Sequence, residues 1–225
     1  MNFLAVSFKF LSLLGGFATV GVILAMAFLL LDQEGKLSTS GEKLRTIFKI
    51  SATLWIVGAI GNIVFTLAQI LATPLSGALD LTVLRSFITQ ITLGRYLAFQ
   101  VLIALIVLGI SFSAKKILTL IFAMLIALVA LVAPALQSHS ASGGSHSLVI
   151  GSLVIHVFAL ALWVGGVFAV GLLSENDRAI AVPRFSQLAL WSAVAVVISG
   201  GVNACLLYTS PSPRDTERSR MPSSA

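Results

Sequence analysis

Six stretches of this chain are each about twenty residues long and almost wholly apolar, at residues 10–31, 50–71, 93–113, 117–136, 147–173 and 185–206. Nothing else in the sequence constrains the fold as much. A hydrocarbon layer of about 30 Å is crossed by about 20 helical residues rising about 1.5 Å each. Lipid offers no hydrogen bonds, so every crossing segment must satisfy its own backbone. That favours helix even around Val194, Val196, Val197 and Ile198, which would read as a buried strand in a soluble protein. The expected fold is all-α: a polytopic helical membrane protein with about six transmembrane helices. The first run has Lys9 before it and Ala25-Met26-Ala27 inside it, as a cleaved signal would. The apolar part of a signal peptide is only about 7–15 residues. This run continues through Leu31, so a retained span is expected.

Composition agrees. The chain is 58% hydrophobic and 10% charged, with a mean hydropathy of +1.05, whereas soluble domains are about 45–50% apolar and about 25% charged. Its solvent, and first partner, is the bilayer. The net charge of +6 does not point to nucleic acid, because the basic residues lie between the apolar runs, where they set topology and meet anionic headgroups. Cys205 is the one cysteine and has no internal disulfide partner.

Counting Lys and Arg by loop gives an orientation. Lys36, Lys43, Arg45 and Lys49 precede the second run, Lys115 and Lys116 the fourth, and Arg178 and Arg184 the sixth. Against these eight stand Lys9, Arg85 and Arg95. Positive charge favours the cytoplasm. The expectation is therefore N-terminus outside, odd-numbered loops inside, and the fourth loop outside. The second loop, 72–92, is long. Its segment 77–91 alternates apolar residues with Asp80 and Arg85, and is expected to be either a short amphipathic helix on the outer surface or a plain connection. Residues 1–204 read as one transmembrane domain. Residues 205–225 are expected to be a disordered tail. Its text, CLLYTSPSPRD…SRMPSSA, resembles translated sequencing-adapter read-through, so the tail is expected to be non-native and the natural chain to continue beyond the sixth run.

All three histidines fall within 137–166: His139 and His146 in the Ser/Gly-rich fourth loop, His156 inside the fifth run. Imidazole is a common transition-metal ligand. Gly143 and Gly144 let the loop fold back so that His139 and His146 can share a site; solvated loop histidines are the plain alternative. His156 lies about 14 Å into its span, near mid-bilayer. An ionisable group there is a functional hypothesis by default, with a histidine bonded to a neighbouring helix as the alternative. Ala159, Leu160, Trp163, Gly166 and Val167 share its face. Trp163 reads as packing, and Gly165-Gly166 as a place for close helix approach. In the second run Trp55, Gly58, Asn62, Thr66 and Gln69 fall on one face, with Asn62 and Gln69 expected to be interhelical hydrogen-bonders rather than the lining of a path. Met26 and Met124 are expected in the core. Ser199, Gly200, Gly201 and Asn203 read as a small-residue packing site. No phosphate-binding loop, Cys-x-x-Cys or intramembrane carboxylate pair is present, and no bond-making chemistry is implied, so the chain is not expected to be an enzyme.

SHSASGGSHSLVIGSLVIHVFALALWVGGVFAV, followed by RFSQLALWSAVAVVISGGVNA, resembles the copper resistance protein D family, in the long form fused to a cytochrome c oxidase assembly domain. The likeness runs from the first span to Ala204 and is densest over 134–166. It implies copper as the metal, His139, His146 and His156 as its contacts, and a role in copper uptake or resistance at a bacterial plasma membrane. A periplasmic or extracellular copper-binding protein is an implied partner. Copper delivery for oxidase assembly is a rival reading, as is a haem-bearing electron carrier, although a bis-histidine haem needs two intramembrane histidines and only His156 qualifies. A structural membrane protein with no ligand is the third.

Overall fold

The computed structural model describes residues 2–30, 39–114, 116–138 and 146–209. Every element in them is helical: α1 (Asn2–Leu24), a π-helical segment (Ala25–Leu29), α2 (Thr39–Leu71), α3 (Leu75–Ala78), α4 (Leu81–Gln90), α5 (Thr92–Ser113), α6 (Ile117–Ser138), α7 (His146–Gly171) and α8 (Glu175–Thr209). Six of these helices are long and apolar enough to cross a membrane. The chain is a polytopic helical membrane protein of six spans.

α1 is the hub. It packs against α2, α6 and α7, and 67% of its most apolar window is buried, against 11% for α8. α8 is peripheral and leans chiefly on α7. The core cluster runs from Val20 through the π segment to Phe48, Trp55, Leu120, Leu131, Ala161 and Phe185. Met26 and Met124 belong to it, and Trp163 packs against it, as expected of packing residues. Within it the hydroxyls of Thr19 and Ser51 meet at 3.2 Å, tying α1 to α2. α1 crosses α7 where two glycines coincide. A Cβ on Gly21 would collide with the backbone carbonyl of Gly165, and one on Gly165 with the carbonyl of Phe17. Only bare backbones can meet so closely.

The second connection resolves into helix. α2 stops at Ala72, which takes a left-handed conformation (φ 51°) of the kind that ends helices. Asp80 then caps α4, accepting from the backbone N–H groups of Thr82 at 2.8 Å and Val83 at 3.2 Å. Phe87 on α4 is buried beside Ile63, Leu67, Ala78 and Leu97, with Val83, Leu84 and Ile88 packed around it. The amphipathic helix exists, and its apolar face is folded against α2 and α5.

One face of the bundle gathers the connections before α2, α6 and α8, and it is stitched by arginines. Helix C-termini leave carbonyls without partners and favour positive charge. Arg184 donates to the Leu29 carbonyl at 2.8 Å, Arg45 to Ala114 at 2.7 Å, and Arg178 to Gly171 and Leu173, each at 3.0 Å. All three spans that end on this face, the first, third and fifth, thus have a guanidinium on their last carbonyls. Ser40 at the head of α2 also donates to Asp177 at the head of α8, at 2.6 Å. The opposite face carries the start of α1, α3 and α4, the end of α6 and the start of α7.

Candidate functional site

α7 and α8 run antiparallel, and two polar rungs join them one helical turn apart. Ser152 donates to the side-chain oxygen of Asn203. His156 Nδ1 lies 3.1 Å from Ser199 Oγ. The hydroxyl of Ser199 has a single proton, and that proton goes back to its own helix: the Ala195 carbonyl accepts it, with the Val196 carbonyl 3.3 Å away. With its own proton on α8, Ser199 is placed to accept from the Nδ1–H tautomer of His156. In the neutral ring the lone pair is then on Nε2. A metal-binding histidine is normally held this way, one nitrogen donating to a fixed acceptor and the other left for the ion. A purely structural histidine needs only the first bond.

α8 makes its contacts along its length. Near its start Arg184 holds the Leu29 carbonyl. Next to it, Phe185 lays its ring where a Cβ on Gly166 would be. About four turns further along, Ser199 meets His156, and a Cβ on Gly200 would stand in ordinary contact with the imidazole, 3.4 Å from its Cε1. Gly201 faces open space. Asn203 is a rung of the ladder and not mere packing. Its signal was in the sequence: Ser152 and His156 are four apart, as are Ser199 and Asn203, so each pair shares a helix face.

Of the three histidines, only His156 has a described side chain. His139 lies outside the described residues. His146 opens α7, and its side chain is likewise outside them. Ten residues of helix separate it from His156, or about 15 Å along the axis, so the two stand at different depths. Among the described residues no group of three or more His, Cys, Asp and Glu side chains is placed to hold a metal. Asn62 and Gln69 both line a cavity between α1, α2, α5 and α6, and Asn62 accepts from Thr66 of its own helix at 3.3 Å.

Residues 1–148 match the family model for the copper resistance protein D-like, N-terminal domain. The chain belongs to this family. The matched region takes in His139 and His146 and ends before His156. No curated protein and no solved structure matches the chain. Membership associates this six-span protein with copper resistance.

Proposed function

We propose that the protein handles copper at a bacterial plasma membrane, with its N-terminal face outside, taking the ion at His139 and His146 and passing it to His156 between α7 and α8. The outward assignment rests on the basic residues gathered at the opposite face. Copper is cargo here, and no bond is made or broken in a substrate. Soft or borderline metals suit imidazole, and the axial distance between His146 and His156 calls for hand-over from one to the other. A periplasmic or extracellular copper-binding protein is the natural donor or acceptor at the outer loop.

The observation that carries this reading is the Ser199–His156 bond. It orients the imidazole, and in the Nδ1–H tautomer it leaves Nε2 available to an ion. The test is copper per protein by elemental analysis after dialysis, with circular dichroism as the folding control. His156→Ala should fold and lose stoichiometric copper. His139→Ala and His146→Ala should only weaken binding, since water can replace a loop ligand. A folded His156→Ala protein with full copper would remove His156 from the path.

A further inference from the structure

A cavity of about 600 Å³ opens between α1, α2, α5 and α6 near the N-terminal face. That is the size of a small-molecule site, about 300–1,000 Å³. Its depth follows from the helix ends. Lys9 stands just before the apolar run that begins at residue 10, Gln100 lies about 12 Å along α5 from Thr92, and Asn62 about 14 Å back along α2 from Leu71. The cavity therefore occupies one leaflet's thickness, about 15 Å.

Its lining has one charge, Lys9, and no Asp, Glu, His or Cys. A copper ion would find no imidazole or thiolate there and would be repelled by the ammonium. The polar groups are hydroxyls and carboxamides. Gln100 is 2% exposed. Ser12 is also 2% exposed, and its buried hydroxyl has no hydrogen-bond partner. Asn62 takes the Thr66 proton on its oxygen, which leaves its amide hydrogens to donate. Val6, Leu13, Leu93, Leu97 and Leu131 make the rest of the wall apolar. The Lys9 ammonium is exposed at this face, where it can meet an anion, and the unsatisfied buried hydroxyl of Ser12 is costly without a partner. One guest satisfies both: an oxygen anion with an apolar body.

We propose that this cavity binds the anionic oxygen head group of an amphiphile, with Lys9, Ser12, Asn62 and Gln100 on the head group and the leucine wall along its chain. An anionic phospholipid of the same leaflet is the source the depth favours.

The test places the full chain in mixed phosphatidylcholine and phosphatidylglycerol nanodiscs and counts retained lipid by native mass spectrometry. Wild type should keep one phosphatidylglycerol per chain. Lys9→Gln should lower that retention about tenfold, the loss expected for a charge-assisted bond. Ser12→Ala, a small change in a packed site, should lower it a few-fold. Lys116→Gln removes the same charge at the opposite face and should change nothing. Displacement by millimolar inorganic phosphate would support the anion site and place its source in solution. Equal retention of uncharged diacylglycerol, or undiminished phosphatidylglycerol on folded Lys9→Gln, would overturn the proposal. Copper loading of Lys9→Gln should match wild type, so failure of this site and failure of the copper path are told apart.

Discussion

The guanidinium of Arg184 donates to the carbonyl oxygen of Leu29 at 2.8 Å, across 155 residues of sequence. The bond ties the peripheral helix α8 to the end of the π segment that closes the first span. Arg45 and Arg178 do the same for α5 and α7. The charges that bias topology therefore also finish the helices. Arg184→Ala should destabilise the bundle by about 1–2 kcal/mol, the lower part of the range for hydrogen bonds to charged groups because Arg184 stays exposed. Thermal unfolding in detergent, followed by circular dichroism, measures it. An unchanged melting temperature would mean that water caps Leu29 equally well.

The meeting of Gly21 with Gly165 makes a sharper demand. Each would drive a Cβ into the partner's backbone, which cannot give way as a flexible side chain can. Gly21→Ala and Gly165→Ala should each cost at least the roughly 1–3 kcal/mol of an overpacked core. Gly109→Ala, Gly151→Ala and Gly201→Ala, at positions facing open space, should be neutral or slightly stabilising. Equal melting temperatures across the set would show that α1 and α7 can separate without loss.

The spans were legible because hydropathy reports contact with lipid, and lipid demands length. The helix starts were not. The apolar runs begin at 10, 50 and 185, yet α1, α2 and α8 begin at Asn2, Thr39 and Glu175. A helix continues past the hydrocarbon as long as its backbone is bonded, so polar turns such as Thr39–Leu44 extend it unseen by hydropathy. The polar face of Asn62, Thr66 and Gln69 was equally readable from spacing. What it faces was not, because the cavity draws on four helices whose rotation about their axes only packing decides. The Ser199–His156 pair lay between: each helix showed its polar residues four apart, but nothing in one sequence aligns α7 with α8.

Orientation can be tested by labelling, with one precaution that the structure supplies. Cys205 is exposed near the end of α8, on the face assigned to the outside, and must first be changed to serine. In that background Ser142→Cys should react with an impermeant maleimide in intact cells. Lys43→Cys, exposed on the first turns of α2, should react only after permeabilisation. It is a better inside probe than Ser40, whose hydroxyl is engaged with Asp177. The opposite pattern would put the histidine loop in the cytoplasm and reverse the proposed direction of capture.

Ser199 is the test that separates a ligand from a merely structural histidine at 156. If His156 binds copper through Nε2, Ser199 acts on the metal through the ring, by holding Nδ1–H. Removing such an outer partner typically costs 10–100-fold in metal affinity. Ser199→Ala should therefore raise the dissociation constant for copper by about that factor while leaving one copper per chain at saturation. Ser199→Thr keeps the hydroxyl and the back-bond to α8 and should restore affinity. The structural cost is small by comparison, since an interhelical hydrogen bond in a membrane bundle averages about 0.6 kcal/mol, so the variant should remain folded. Competition against a chromophoric chelator gives the affinity, and circular dichroism the fold. Wild-type affinity in folded Ser199→Ala would mean that the imidazole is not oriented for copper by α8, leaving the outer loop of His139 and His146 as the site of capture.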